Sequence, residues 1–257
     1  MRRISILFLI LSAFVPILAY ATAAEFISTP LFYDANLVSY WRLEDVNDSK
    51  GTNTLTNNNV VTFTAGKFNN AATFASASSQ SLTRTNAIVS SGAFSVVGWV
   101  KFTTTPATNQ HMAIFTQTNT GNYSHFLMLS NLSGTLNLYG YMVNGANSDV
   151  NQTAWTPTTG VWYQVAQVYT GTHHITYLNG AVEKDDTYSG GYATPAQFNI
   201  GISGDASNWY LNGQVDDVEV FSRALTAEEM QQIFDLMNSF GFKIEKLPTD
   251  IDYLFQK

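Results

Sequence analysis

Near the end of the chain a strand runs straight into a capped helix, and this stretch constrains the fold most. Residues 213–229 read Gly-Gln-Val-Asp-Asp-Val-Glu-Val-Phe-Ser-Arg-Ala-Leu-Thr-Ala-Glu-Glu. Strict alternation along the strand sends Asp216, Val218 and Val220 to one face, and Val215, Asp217, Glu219 and Phe221 to the other. Thr226 is placed as a helix N-cap, and Glu229, three residues on, closes a capping box. Leu225 and Met230 are spaced for a hydrophobic staple. Met230, Ile233, Phe234 and Met237 then make an apolar stripe at helical spacing. The pattern predicts one short helix, over 226–237, folded back on a sheet.

The rest of the chain reads as strands. Residues 38–43, 94–101, 112–116, 126–130, 136–143, 162–169 and 198–202 are short runs rich in β-branched and aromatic residues. Residues 175–178 and 181–183 flank Asn179-Gly180, the preferred two-residue hairpin turn, because both central positions need positive φ. Evenly spaced short strands with turn signals and one late helix predict a sandwich or jelly roll. A length of 257 residues suits one such domain. With no cysteine, a large core has to supply the stability without disulfide staples.

Charge narrows the partners. The net charge is −7 and no Lys/Arg cluster exists, which argues against nucleic acid, whose phosphates need clustered cations. At the amino terminus, Arg2 and Arg3 precede an apolar run over 4–18, and Ala21-Thr22-Ala23 fits a small-x-small cleavage site. Residues 1–23 are therefore expected to be a signal peptide. The rival reading is a retained anchor, but the run falls short of the ~20 apolar residues a spanning helix needs. No membrane insertion of the mature chain is expected, and secretion or surface display follows. Residues 24–36 read as a leader, 37–237 as the folded domain and 238–257 as a tail. That tail is too apolar for plain disorder, with Phe240, Phe242, Ile244, Leu247, Ile251, Tyr253, Leu254 and Phe255. It is a candidate contact for a homo-oligomer.

Several pieces in order resemble the laminin-G-like, concanavalin-A-like jelly-roll family. They are Tyr40-Trp41-Arg42-Leu43-Glu44-Asp45 with the turn Asp48-Ser49-Lys50-Gly51, and Phe94-Ser95-Val96-Val97-Gly98-Trp99-Val100-Lys101. Trp162-Tyr163-Gln164-Val165-Ala166, then Tyr177-Leu178-Asn179-Gly180, and the closing strand and helix complete the set. The resemblance covers residues 37–234. It implies an all-β fold: a two-sheet antiparallel jelly-roll sandwich with one short C-terminal helix. It also implies recognition of sugars or proteins, so a glycan or a surface protein is the expected partner. By the same resemblance, a calcium ion is expected where the acidic end of the opening strand meets the closing strand. Glu44, Asp45, Asp48, Asp216 and Asp217 are the matching positions. Asp216 makes an independent case, since a carboxylate in an apolar strand needs a cation or donors to offset its desolvation.

Catalysis is not expected. Glycosidases need two carboxylates flanking the scissile bond, about 5–5.5 Å apart for retention. In laminarinase-like members of the fold an inner strand supplies them, but this chain has no Asp or Glu between Asp48 and Asp149. Glu183, Asp185 and Asp186 read as a solvated turn, and His173-His174 as an exposed pair before the hairpin. Aromatics are the candidates for sugar contact, as flat apolar platforms beside polar neighbours. Trp155 and Trp209 lie in polar loops, and Tyr139 and Tyr141 share one strand face, whereas Trp41, Trp99 and Trp162 read as core. The expected function is a non-catalytic, carbohydrate-binding module. The alternative is a surface or assembly protein that uses the sandwich as a building block.

Overall fold

A computed structural model describes residues 31–119, 122–204 and 209–239. The signal peptide, most of the leader and nearly all of the tail expected above lie outside the described residues. Among the described residues fifteen strands, a single 3₁₀ turn (Ser76–Ser78) and one α-helix follow in order. The first five strands are β1 (Leu37–Trp41), β2 (Thr56–Asn58), β3 (Thr62–Ala65), β4 (Asn70–Phe74) and β5 (Ser81–Thr85). Next come β6 (Phe94–Phe102), β7 (His111–Asn119), β8 (Asn122–Leu132), β9 (Thr135–Asn144) and β10 (Asn147–Ala154). The last are β11 (Trp162–Tyr169), β12 (His173–Leu178), β13 (Ala181–Thr187), β14 (Gln197–Ile200) and β15 (Gly213–Phe221), with α1 (Ala227–Ser239). All pairings are antiparallel, in two sheets. The first has the order β13-β12-β11-β6-β15-β4-β3, with β1 also paired to β15. The second has the order β10-β9-β8-β7-β14-β5-β2.

Two apolar layers hold this architecture. Between the sheets pack Trp41, Phe74, Leu82, Phe94, Phe102, Phe115, Leu127, Leu129, Leu138 and Phe198, with Val215, Val218 and Val220 of β15. A smaller layer lies on the outer face of the first sheet, where Tyr40, Val97, Trp99, Ala166, Val168 and Phe221 meet Leu225, Met230 and Ile233. The helix is there because its apolar stripe has that face to cover. Phe234 stacks on Trp99 at 5.8 Å. The capping box forms as expected: Thr226 N–H donates to Glu229 Oε2 at 2.9 Å, and Glu229 N–H donates to Thr226 Oγ1 at 3.2 Å. Arg223 anchors the same corner, reaching Glu229 at 2.7 Å and Asp34 at 3.0 Å. Thr226→Ala removes one of the paired cap bonds and should cost about 1 kcal/mol. Urea denaturation checks this, and an unchanged midpoint would show that the Arg223 pairs alone fix the helix start.

The closing strand departs from strict alternation. Its register against β6 shifts between Asp216 and Glu219, and Asp217 takes a left-handed φ of 45°. This bulge lies where the other edge of β15 changes partner, from β4 at Gly213–Val215 to β1 at Val218–Phe221. An extra residue resets the pleat. Asp216 therefore leaves the face of Val218 and Val220, where alternation had put it, while both valines stay in the inter-sheet core. Gly98 sits opposite the bulge, and a Cβ there would lie 2.8 Å from Phe115 Cζ, so the close approach of the sheets requires glycine.

Two further expectations need correction. Glu183, Asp185 and Asp186 lie on strand β13 rather than in a turn, where Asp185 meets His173 at 2.8 Å and Asp186 meets Lys184 at 3.0 Å. His174 is not exposed. Strand β12 begins at His173, so alternation turns His174 inward, where it is fully buried. Its Nδ1 lies 2.6 Å from Asp149 Oδ2 and its Nε2 lies 2.9 Å from Gln167 Nε2.

Candidate functional site

The five carboxylates expected at a calcium site do not converge into one cage. Asp48 is committed to its own loop: Oδ1 accepts the N–H groups of Tyr40, Lys50 and Gly51 at 3.0, 2.9 and 3.0 Å, and Oδ2 accepts Asn53 N–H at 3.2 Å. Asp45 likewise accepts both the backbone and side-chain N–H of Asn47. Asp216 is fully buried, and its Oδ2 accepts Lys67 N–H and Phe68 N–H, each at 2.9 Å. It thereby ties the turn between β3 and β4 to the bulge of β15. Glu44 joins the same turn through Asn70 N–H at 3.1 Å, and Asp217 accepts the Tyr40 hydroxyl. Burial first, and then the neighbouring Asp217 carboxylate, push Asp216 well above the usual carboxylate range. Lys67, whose ammonium lies 4.1 Å from the Trp99 ring centre, supplies positive charge beside Asp216. Among the described residues no three of His, Cys, Asp and Glu are grouped to hold a metal ion. The donors that Asp216 needs are mainly amide N–H groups, and the residues present do not fit a shared calcium.

The aromatic candidates separate by setting. Trp155 follows β10 at the end of the sandwich and is half-buried, edge-on to Tyr163 at 5.0 Å and to Phe102 at 6.1 Å. Tyr139 and Tyr141 are half-buried on the outer face of the second sheet, around Phe126 at 6.1 and 4.9 Å. Trp209 is half-buried and lines an open cleft of about 280 Å³ with Ser76, Pro106, Gln110, His111 and Tyr210.

Strand and loop geometry build this cleft. His111 opens β7 on the outward side, because its neighbour Met112 points into the core. Its Nδ1 lies 2.9 Å from Ser130 Oγ, which fixes the ring, and burial pushes the imidazole below its ordinary value. The indole of Trp209 lies over it, with ring centres 4.3 Å apart. Main-chain bonds hold the tryptophan in place: Trp209 N–H donates to Ser203 Oγ at 3.1 Å, and Trp209 C=O accepts Ala113 N–H at 3.3 Å. Tyr139 lies on the same sheet face, two strands from β7, about 10 Å away. Met128 and Phe126 between them are buried, so the cleft and the tyrosines are not one open surface. Trp209 stands out in the sequence by its polar loop, whereas His111, Gln110 and Pro106, near neighbours of one another in sequence, come to Trp209 only through the pairing of β14 with β7.

A family model for the concanavalin A-like lectin/glucanases superfamily matches residues 69–231. The chain belongs to this superfamily. No curated protein matches it. Among solved structures it is similar to domain 4 of AbnA, a GH43 extracellular arabinanase from Geobacillus stearothermophilus, in complex with arabinotriose. That match has 22% identity and a TM-score of 0.63, over 79% of this chain and 98% of the other. It is also similar to the ligand binding domain of botulinum neurotoxin serotype D in complex with N-acetylneuraminic acid, at 13% identity and a TM-score of 0.62 over 78% of this chain. The binding domain of Paraclostridial Mosquitocidal Protein 1 matches at 15% identity and a TM-score of 0.63 over 77%. The superfamily chain spans about half of each of these two binding domains, 50% and 52%. At these identities the likeness establishes the fold, a two-sheet jelly-roll sandwich. Among the described residues no helix is long and apolar enough to cross a membrane.

Proposed function

We propose that this superfamily member is an exported, non-catalytic module that binds carbohydrate at the Trp209 cleft. The observation that carries the reading is the cleft itself. A half-exposed indole backed by an imidazole gives an apolar platform for a sugar ring, and Gln110, Ser76 and Tyr210 offer polar groups for hydroxyls at its rim. Solved neighbours that hold arabinotriose and N-acetylneuraminic acid support carbohydrate as the ligand class. Residues 1–23, as a signal peptide, belong to the same reading. Against catalysis stands the distribution of carboxylates. None lines the cleft among the described residues, and the adjacent pair Asp216 and Asp217 is sealed from solvent at 0% and 2% exposure. A glycosidase acid and base must reach the scissile bond.

One platform buries modest apolar area at roughly 25 cal/mol per Å², so weak binding is expected, strengthened by display of several copies. Screening the mature chain on a glycan array, followed by calorimetric titration of the best hit, tests the proposal. Trp209→Ala should weaken binding at least about tenfold, which is roughly 1.4 kcal/mol. Its melting temperature should stay nearly unchanged, because the loop is held by main-chain bonds. If no glycan binds and the chain instead forms ordered oligomers, the assembly reading replaces this one.

A further inference from the structure

The lining of the Trp209 cleft says which saccharides it admits. Among the described residues its side chains are aromatic, hydroxyl, amide or aliphatic, and no Lys, Arg, Asp or Glu is present. Burial pushes its imidazole, His111, below the ordinary value, which favours the neutral ring at pH 7. Ser130 occupies one ring nitrogen of that histidine, which leaves one for a ligand hydroxyl. The whole chain carries a net charge of −7.

We infer that the cleft selects uncharged oligosaccharides and rejects acidic ones. The inference rests on the carbohydrate-binding reading above. An acidic sugar carries a carboxylate whose water has to be replaced on binding. Ordinary recognition supplies an Arg or a fan of N–H donors for this purpose. Here the carboxylate meets an indole, a proline and a neutral imidazole, and for donors only the uncharged groups of Gln110, Ser76 and Tyr210, inside a field of its own sign. A neutral sugar meets none of these costs. Its apolar ring face lies on Trp209, and its hydroxyls exchange water for amide, hydroxyl and imidazole partners.

The test uses the mature chain and five probes: arabinotriose, lactose and galactotriose as neutral ligands, sialyllactose and trigalacturonic acid as acidic ones. Binding is measured by calorimetry at pH 7, with Trp209→Ala as the control for location. The expected result is that at least one neutral probe binds, that the acidic probes bind at least about tenfold more weakly, and that Trp209→Ala removes the neutral binding. Equal or tighter binding of an acidic probe, lost in Trp209→Ala, overturns the selectivity while leaving the carbohydrate reading intact. Absence of binding to all five probes, with binding to other array glycans still sensitive to Trp209→Ala, overturns the inference if those glycans are acidic and upholds it if they are neutral. No glycan binding at all removes the carbohydrate reading, and the inference with it.

Discussion

Lowering the pH from 7 to 4 should remove roughly 3 kcal/mol of folding stability through one side chain, His125. The ring is buried between the sheets, stacked on Phe94 at 4.1 Å and edge-on to Tyr192 at 5.2 Å. Gln117 Nε2 of β7 lies 2.7 Å from its Nε2, and the Gln167 amide of β11 and the imidazole of His174 on β12 lie beside it. Burial is the largest cause of a pKa lowered to about 3. Gln167 opposes the shift and His174 adds to it. The native state therefore stays neutral where the unfolded chain, near 6.5, takes up a proton. Stability is full above 6.5 and falls as the pH drops toward 3. Urea titrations at pH 7 and pH 4 on wild type and His125→Gln isolate the effect. The carboxyls of Asp34 and Glu229, both held low by Arg223, lose stability in acid in both proteins alike. The variant should lose markedly less than wild type between the two pH values. An identical loss would mean that the ring is not held neutral.

The second large effect is at Asp48. Asp48→Ala leaves four backbone N–H groups without their acceptor, in a loop that closes against buried β1. Water reaches some of them, so the expected loss is roughly 2–3 kcal/mol rather than the full sum for four buried donors. The loss should be the same in EDTA and in millimolar calcium, because the carboxylate is used up by amides. A penalty seen only with calcium present would make Asp48 a metal ligand and restore the cage that the geometry does not assemble.

Much of the fold was legible because the signals were local. The capping box, the Asn179-Gly180 turn and the strands around Phe94 and Trp162 follow from neighbouring residues. Strands β2 to β5 and β10 were missed because they carry Thr, Asn, Ser and Ala rather than large alternating apolar residues. Ala71 and Ala72 bury a strand without announcing it. Asp216 was misassigned in its face because a bulge is set by a change of partner strand, which no local pattern encodes. His174 was misread because the start of β12 fell two residues earlier than its apolar run. The cleft was half legible. Trp209 was visible as an aromatic in a polar loop, whereas His111 and Gln110 reach it only through long-range pairing.

The most direct measurement follows the indole N–H signals of the five tryptophans by two-dimensional NMR during titration with the best array glycan. Trp41 and Trp99 are core, Trp162 lies on the other sheet, and Trp155 packs against Phe102 and Tyr163. The Trp209 signal should shift progressively and saturate while the other four hold still. A titration in which Trp209 stays fixed while glycan binds, or in which the response falls on Trp155 alone, contradicts the assignment of the site.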